Sequence, residues 1–177
     1  MENGTADEYL YLTKLYGDGR NAVPDMLLSL LKKMKGDTMG YQIDRYTHCL
    51  QSATRADKDG ADEETIVCAL LHDIGDIIAP DNHSEVAAAI LFPYVSEKNY
   101  WIVKHHGLFQ GYYYFHYLGK DRNARDVFKG HQFYKPCIDF CEKWDQCSFD
   151  PEYQNYPLEY FEPMLKRLFM KPRKIND

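Results

Sequence analysis

Helix-start signals recur along this chain, and they constrain its fold more than any other feature. Pro24 and Asp25 open the amphipathic run Met26–Leu31, which Gly36 closes. Asp44 caps a helix running to about Asp59-Gly60. Asp62 caps the next, with Glu63 and Glu64 in its first turn, where acids favour the helix dipole. That helix carries Ile66, Val67, Ala69, Leu70 and Leu71 and stops near Gly75. Asn82 with Glu85 three residues on has the form of a capping box for Val86–Leu91. Ser96 caps a helix over Tyr100–His106, Pro136 fits the first turn of one reaching Trp144, and a last helix covers Leu158–Phe169. Strand signals are sparse. The expectation is an all-α single domain, residues 1–177, of about seven or eight helices. The charged stretch Gly119–Gly130 reads as a loop with room for a short helix.

Length and charge bound the function. A chain of 177 residues, 45% of them hydrophobic and 27% charged, can build one substantial core and stay soluble. The net charge of −6 weighs against general nucleic-acid binding, which favours basic surfaces. No run approaches the ~18 apolar residues that cross a bilayer, and Met1–Tyr9 lacks the basic and apolar parts of a signal peptide. A cytoplasmic location is expected. Five cysteines do not suit a secreted disulfide framework, and the spacing of Cys137, Cys141 and Cys147 is not a zinc-knuckle pattern. Cys49, Cys68 and these three are expected to be buried or partly buried free thiols.

Five of the seven histidines fall at predicted helix ends or faces. His48 lies on one helix, His72-Asp73 ends the next, His83 opens a third, and His105-His106 ends a fourth. Asp145 follows at the end of a fifth. His72 and Asp73, ~100° apart around a helix, can diverge toward two neighbouring cation positions. An ionised Asp73 after the apolar Ala69-Leu70-Leu71 needs a partner, and a metal ion serves. Ile138, Cys141 and Asp145 at i, i+3, i+7 put Asp145 on an inward face, as a ligand or as half of a structural ion pair. His116 and His131 read as structural histidines on loops or the surface.

Here a resemblance enters. His48, then Leu70-Leu71-His72-Asp73-Ile74-Gly75-Asp76, then Asp145 resembles the H…HD…D signature of the HD superfamily over about residues 38–150. The resemblance implies a helical bundle with metal ions at its centre. His48-Cys49-Leu50-Gln51-Ser52-Ala53, His83-Ser84-Glu85 and Trp144-Asp145-Gln146 are further similar to segments of the small HD oxygenases that cleave hydroxyphosphonates. Myo-inositol oxygenase shares their ligand arrangement. Those enzymes use a mixed-valent Fe(II)/Fe(III) pair and O2 to oxidise a C–H bond beside a hydroxyl. Carried over, His48, His72, Asp73 and Asp145 hold one iron, Asp73 bridges, and His83 with His105 or His106 completes the second. Spacing slightly favours His106, and its neighbour then supports a ligand or faces substrate.

Two departures limit the resemblance. Where the phosphonate oxygenases have Y-x-G-E, this chain reads Thr38-Met39-Gly40-Tyr41, so only Tyr41 remains as a site candidate there. Where myo-inositol oxygenase has a substrate-binding Lys after its HD pair, this chain has Asp76, which repels a phosphonate and favours a cationic or polyhydroxyl group. Gln51, one turn after His48, can orient a ligand or bound water, or be an ordinary helix-face amide. The run Phe109–Phe115 is a substrate wall, with Gln110 and a tyrosine supplying hydrogen bonds, or simply core packing. Arg122 or Arg125 binds a substrate anion, or the charged stretch they sit in is a solvated surface loop.

Three activities are thus in competition. The first is a di-iron oxygenase taking a small hydroxylated substrate and O2. The second is an HD phosphohydrolase acting on a nucleotide or other phosphate ester; for the site itself, Mn, Mg, Zn or Ni are the alternatives to iron. The shortage of basic residues near the motif, with Lys104 the only one flanking the histidines, weighs against it. A binding module with a degenerate site ranks last, because the full set of ligand residues is present.

Overall fold

The computed structural model describes residues 1–36 and 38–173, with Asp18 described by its backbone alone. Eight α-helices are found among them, and no strand. They are α1 (Ala6–Asn21), α2 (Val23–Lys33), α3 (Arg45–Lys58), α4 (Glu63–Leu71), α5 (His83–Leu91), α6 (Glu97–Tyr114), α7 (Tyr134–Phe140) and α8 (Leu158–Phe169). The all-α bundle expected from the periodicity is therefore what forms. Among the described residues no helix is long and apolar enough to cross a membrane.

The caps explain most of the boundaries. Asp44 accepts from the Thr47 amide at 2.7 Å, Asp62 from the Thr65 amide at 2.8 Å, and Ser96 from the Asn99 amide at 3.3 Å. The capping box expected at Asn82 does not form, and α5 begins at His83. The 3-10 turn Pro80–Asn82 runs straight into α5, and from its backbone geometry the Asn82 side chain caps nothing. A true capping box occurs at Thr5 and Glu8, opening α1, a helix not expected from the sequence. Replacing Asp62 with Ala should cost about 1 kcal/mol, the usual worth of an N-cap, read as a lower urea midpoint at unchanged slope.

One hydrophobic core runs through α2 to α8, with Leu31, Leu70, Leu71, Leu91, Phe109 and Phe161 among its buried members. Within it α3 packs on α4 and α5 on α6, while α7 closes against α6. Helix α6 continues past His106 to Tyr114, two turns beyond expectation. Gly107 lies within it and serves as a contact, since a Cβ there would stand 2.8 Å from Ser84 Oγ on α5. The helix expected to run from Pro136 to Trp144 is α7 followed by a π turn over Cys141–Asp145. The Gln146 amide bonds back to the Cys141 carbonyl at 2.9 Å. Such an extra residue re-aims the side chains that follow it, a device common at functional sites. Here Cys141 and Asp145 face inward and Ile138 is only partly buried.

Candidate metal centre

Four histidines on four segments point their Nε2 atoms at one place. In each, Nδ1 meets a backbone carbonyl: His48 to Ser148 at 2.8 Å, His72 to Ala69 at 2.7 Å, His83 to Pro80 at 3.1 Å, His106 to Val103 at 2.6 Å. A carbonyl oxygen only accepts, so every Nδ1 carries a proton. When these rings are neutral, every Nε2 therefore presents a lone pair. Nε2 of His48 and His72 then face each other at 3.1 Å. Two lone pairs at that distance need a proton or a metal ion between or beside them. Nδ1–H bonded to a carbonyl is also the arrangement by which proteins fix a metal-binding imidazole.

The carboxylates divide the cluster in two. Asp73 Oδ2 lies 3.4 Å from His48 Nε2 and 3.5 Å from His72 Nε2, whereas its Oδ1 lies 3.1 Å from His106 Nε2 and 3.5 Å from His83 Nε2. Asp145 Oδ1 lies 3.4 Å from His48 and 3.7 Å from His72, and its buried Oδ2 has no hydrogen-bond partner. His48, His72 and Asp145 form one group able to hold a metal ion, and His72, Asp73 and His106 another. Burial opposes charge on Asp73, but His72, His106 and His48 hold its carboxyl well below the ordinary range. Asp145 is likewise lowered, against burial, by His48 and His72. Burial opposes protonation of His72, but the charges of Asp73 and Asp145 outweigh it and raise its pKa to about 9. Anionic oxygens and imidazoles so placed fit a transition-metal cation.

The structure separates His105 from His106. His106 is buried in the cluster and lines the cavity, while His105 packs on Trp101 at 4.4 Å and Phe128 at 4.5 Å and is not among the described residues that line it. Their backbone positions differ by ~100° around α6, which spacing alone could not orient. His106→Ala should therefore lower metal content, measured by plasma mass spectrometry, and His105→Ala should leave it unchanged.

Gln51 is also displaced from its expected role. Both ends of its amide are taken by the backbone of Asp150, at 2.6 Å and 3.3 Å. It braces the segment whose Phe149 ring stacks on His48 at 4.1 Å. Asp76 is not the free anion that the sequence suggested. Arg45 reaches it at 3.1 Å and His83 Nδ1 at 3.2 Å. Burial and the charge of Asp73 nevertheless raise its pKa.

Arg45 is the residue that sequence reasoning missed. It lies one turn before His48 on the same helix face, and that spacing was the available signal. It touches Asp73 Oδ2 at 3.4 Å and lies over the Tyr41 ring. A cation therefore stands in the cavity, while Lys104 lies over Tyr100 instead.

A cavity of about 310 Å³ opens on the cluster, with Tyr41, Arg45, Gln110, Tyr113, Tyr114 and Phe149 in its wall. Gln110 Oε1 is buried there without a hydrogen-bond partner, and Tyr41 stacks on Phe149 at 4.8 Å. The aromatic run thus splits. Tyr113 and Tyr114 face the cavity, whereas Phe109 is core. His116 and His131 are exposed and away from the cluster.

No curated protein matches the chain. The family model described as HD domain matches residues 45–136, more than half of it, and that family consists generally of metal-dependent enzymes. The match begins at Arg45 and takes in His48, His72-Asp73, His83 and His106. The chain belongs to the HD-domain family.

Proposed function

We propose that the cluster holds two metal ions bridged by Asp73, and that the protein is a mixed-valent di-iron oxygenase of a small hydroxylated substrate. The observation that carries the dinuclear part is the division of Asp73, one oxygen facing His48 and His72, the other facing His83 and His106. When bound, an Fe(II)/Fe(III) pair supplies the oxidation by O2 of a C–H, C–C or C–P bond beside a hydroxyl. The protein's own residues bind and orient. Gln110 presents a carbonyl oxygen to a substrate hydroxyl, Tyr113 and Tyr114 form the wall, and Phe149 with Tyr41 covers the His48 side and limits water. The five free thiols fit a reducing cytoplasm.

A phosphohydrolase is the second reading, and Arg45 favours it by bringing a cation to the cavity. The oxygenase reading is preferred because Arg45 is already engaged by Asp73 and Asp76, which leaves no uncommitted cation among the described residues of the cavity wall for a phosphoryl group. The resemblance at His48–Ala53 and at His83–Glu85 points the same way. The test is protein purified without oxygen, assayed for metal per chain and for the spin-resonance signal of a mixed-valent iron pair. Two irons per chain and O2 uptake with hydroxylated substrates support the oxygenase. Phosphate release from nucleotides or phosphate esters with magnesium or manganese, and no such signal, would sink it.

A further inference from the structure

Two arginines outside the metal cluster have no acidic partner. The guanidinium of Arg122 lies 4.1 Å from the centre of the Tyr112 ring, and that of Arg125 lies 3.8 Å from the same centre. Arg125 is buried, and its Nη1 has no acceptor; nor has the buried Nε of Arg122. Among the described residues, no carboxylate forms an ion pair with either. The nearby acids are committed elsewhere. Asp126 takes Lys129 at 2.8 Å and the Tyr134 hydroxyl at 2.5 Å, and Asp121 accepts from the Asn123 amide at 2.8 Å. Two like charges on one ring repel each other, and a buried charged donor without an acceptor is costly. In a chain of net charge −6, local carboxylates would be the ordinary remedy.

The position of the pair says what could supply the missing acceptors. Arg125 reaches the phenol of Tyr113, and Tyr113 lines the cavity above the metal cluster. His106, Gln110 and Tyr113 follow at i, i+4 and i+7 on one face of α6, over about 10 Å of helix. The arginines thus lie at the far end of a line of side chains that begins at a candidate metal ligand.

We propose that Arg122 and Arg125 bind an oxyanion, a carboxylate or a phosphate, and that the substrate carries this group at the end remote from its reacting carbon. Guanidinium forks match such groups with paired hydrogen bonds. The substrate assignment rests on the reading of the cluster as a metal-dependent active site. The anion site itself does not.

Titration calorimetry of the full-length metal-loaded protein tests it, with inorganic phosphate and acetate as separate probes. Binding of either probe is expected, weakened at least tenfold in the Arg122→Gln/Arg125→Gln double variant at unchanged metal content. The probe that binds more tightly identifies the oxyanion class. Because Arg125 is buried, Arg122→Gln alone, at a partly exposed position, is the second variant and should weaken binding at least threefold. Failure of both probes to bind the wild-type protein overturns the proposal. So does wild-type affinity in both variants. Binding that survives in the variants but disappears on chelation places the anion on the metals, overturning the arginine site while leaving the metal reading intact.

Discussion

Asp73→Ala should strip metal from both halves of the cluster at once, and with it the activity. Its two oxygens face different histidine pairs, at 3.1 to 3.5 Å. Among the described residues no other carboxylate touches both pairs, since Asp145 reaches only His48 and His72. Removing one partner from a buried charged cluster costs roughly 3–5 kcal/mol, and a tenfold loss of affinity corresponds to about 1.4 kcal/mol. Metal binding should therefore weaken by roughly 10²- to several 10³-fold on each side. His83→Ala supplies the contrast, because it touches only the Oδ1 side and should leave the His48/His72/Asp145 side loaded. Metal per chain, measured after equal exposure to metal and desalting, reads both. An Asp73→Ala protein that keeps its full metal content would remove the bridging role. A His83→Ala protein that loses everything would remove the two-sided description.

What was legible in the sequence follows from what is local. Caps at Asp44, Asp62 and Ser96 are written within four residues, and each forms as read. The resemblance to the HD signature nominated His48, His72, Asp73, His83 and Asp145, and for Asp73 the apolar run before it added a physical reason, because a buried carboxylate demands a partner wherever the chain goes. Long-range packing decides the rest. Gln51 meets the backbone of Asp150, 99 residues away, and nothing near Gln51 announces that partner. Arg45 pairs with Asp76 across the turn after α4, so the acid that looked free and the cation that seemed absent neutralise each other. His105 and His106 are adjacent, and only the seating of α6 between α5 and α7 turns one inward. Helix α1 was missed for a different reason. Its apolar residues Leu10, Tyr11 and Tyr16 remain exposed, so no buried stripe was there to be read.

Gly75→Ala should damage the site as well, although glycine contributes no donor to it. Sequence reading treats Gly75 as a helix stop, but its φ is not in the left-handed region, so conformational freedom is not the reason for glycine here. The reason is space. A Cβ at residue 75 would stand 2.3 Å from the carbonyl oxygen and 2.7 Å from the Cα of His83. Both are backbone atoms, so no side-chain rotation relieves the clash, and the start of α5 must move away from the turn Ile74–Ile77. His83 moves with it, drawing its Nε2 from Asp73 Oδ1 and its Nδ1 from Asp76. Overpacking of this kind costs about 1–3 kcal/mol, and a displacement near 1 Å at a catalytic centre can cost on the order of a hundredfold in rate. Gly75→Ala should therefore lower the urea midpoint, deplete metal on the His83/His106 side and cut turnover, while the His48/His72/Asp145 side stays loaded. Gly107→Ala calibrates the measurement, because its Cβ meets the Ser84 side-chain oxygen at 2.8 Å rather than backbone. Ser84 can rotate away, so the milder outcome belongs there. Equal losses in the two variants, or a Gly75→Ala protein with full metal content and rate, would show that His83 is not held in place by the missing side chain of its neighbour.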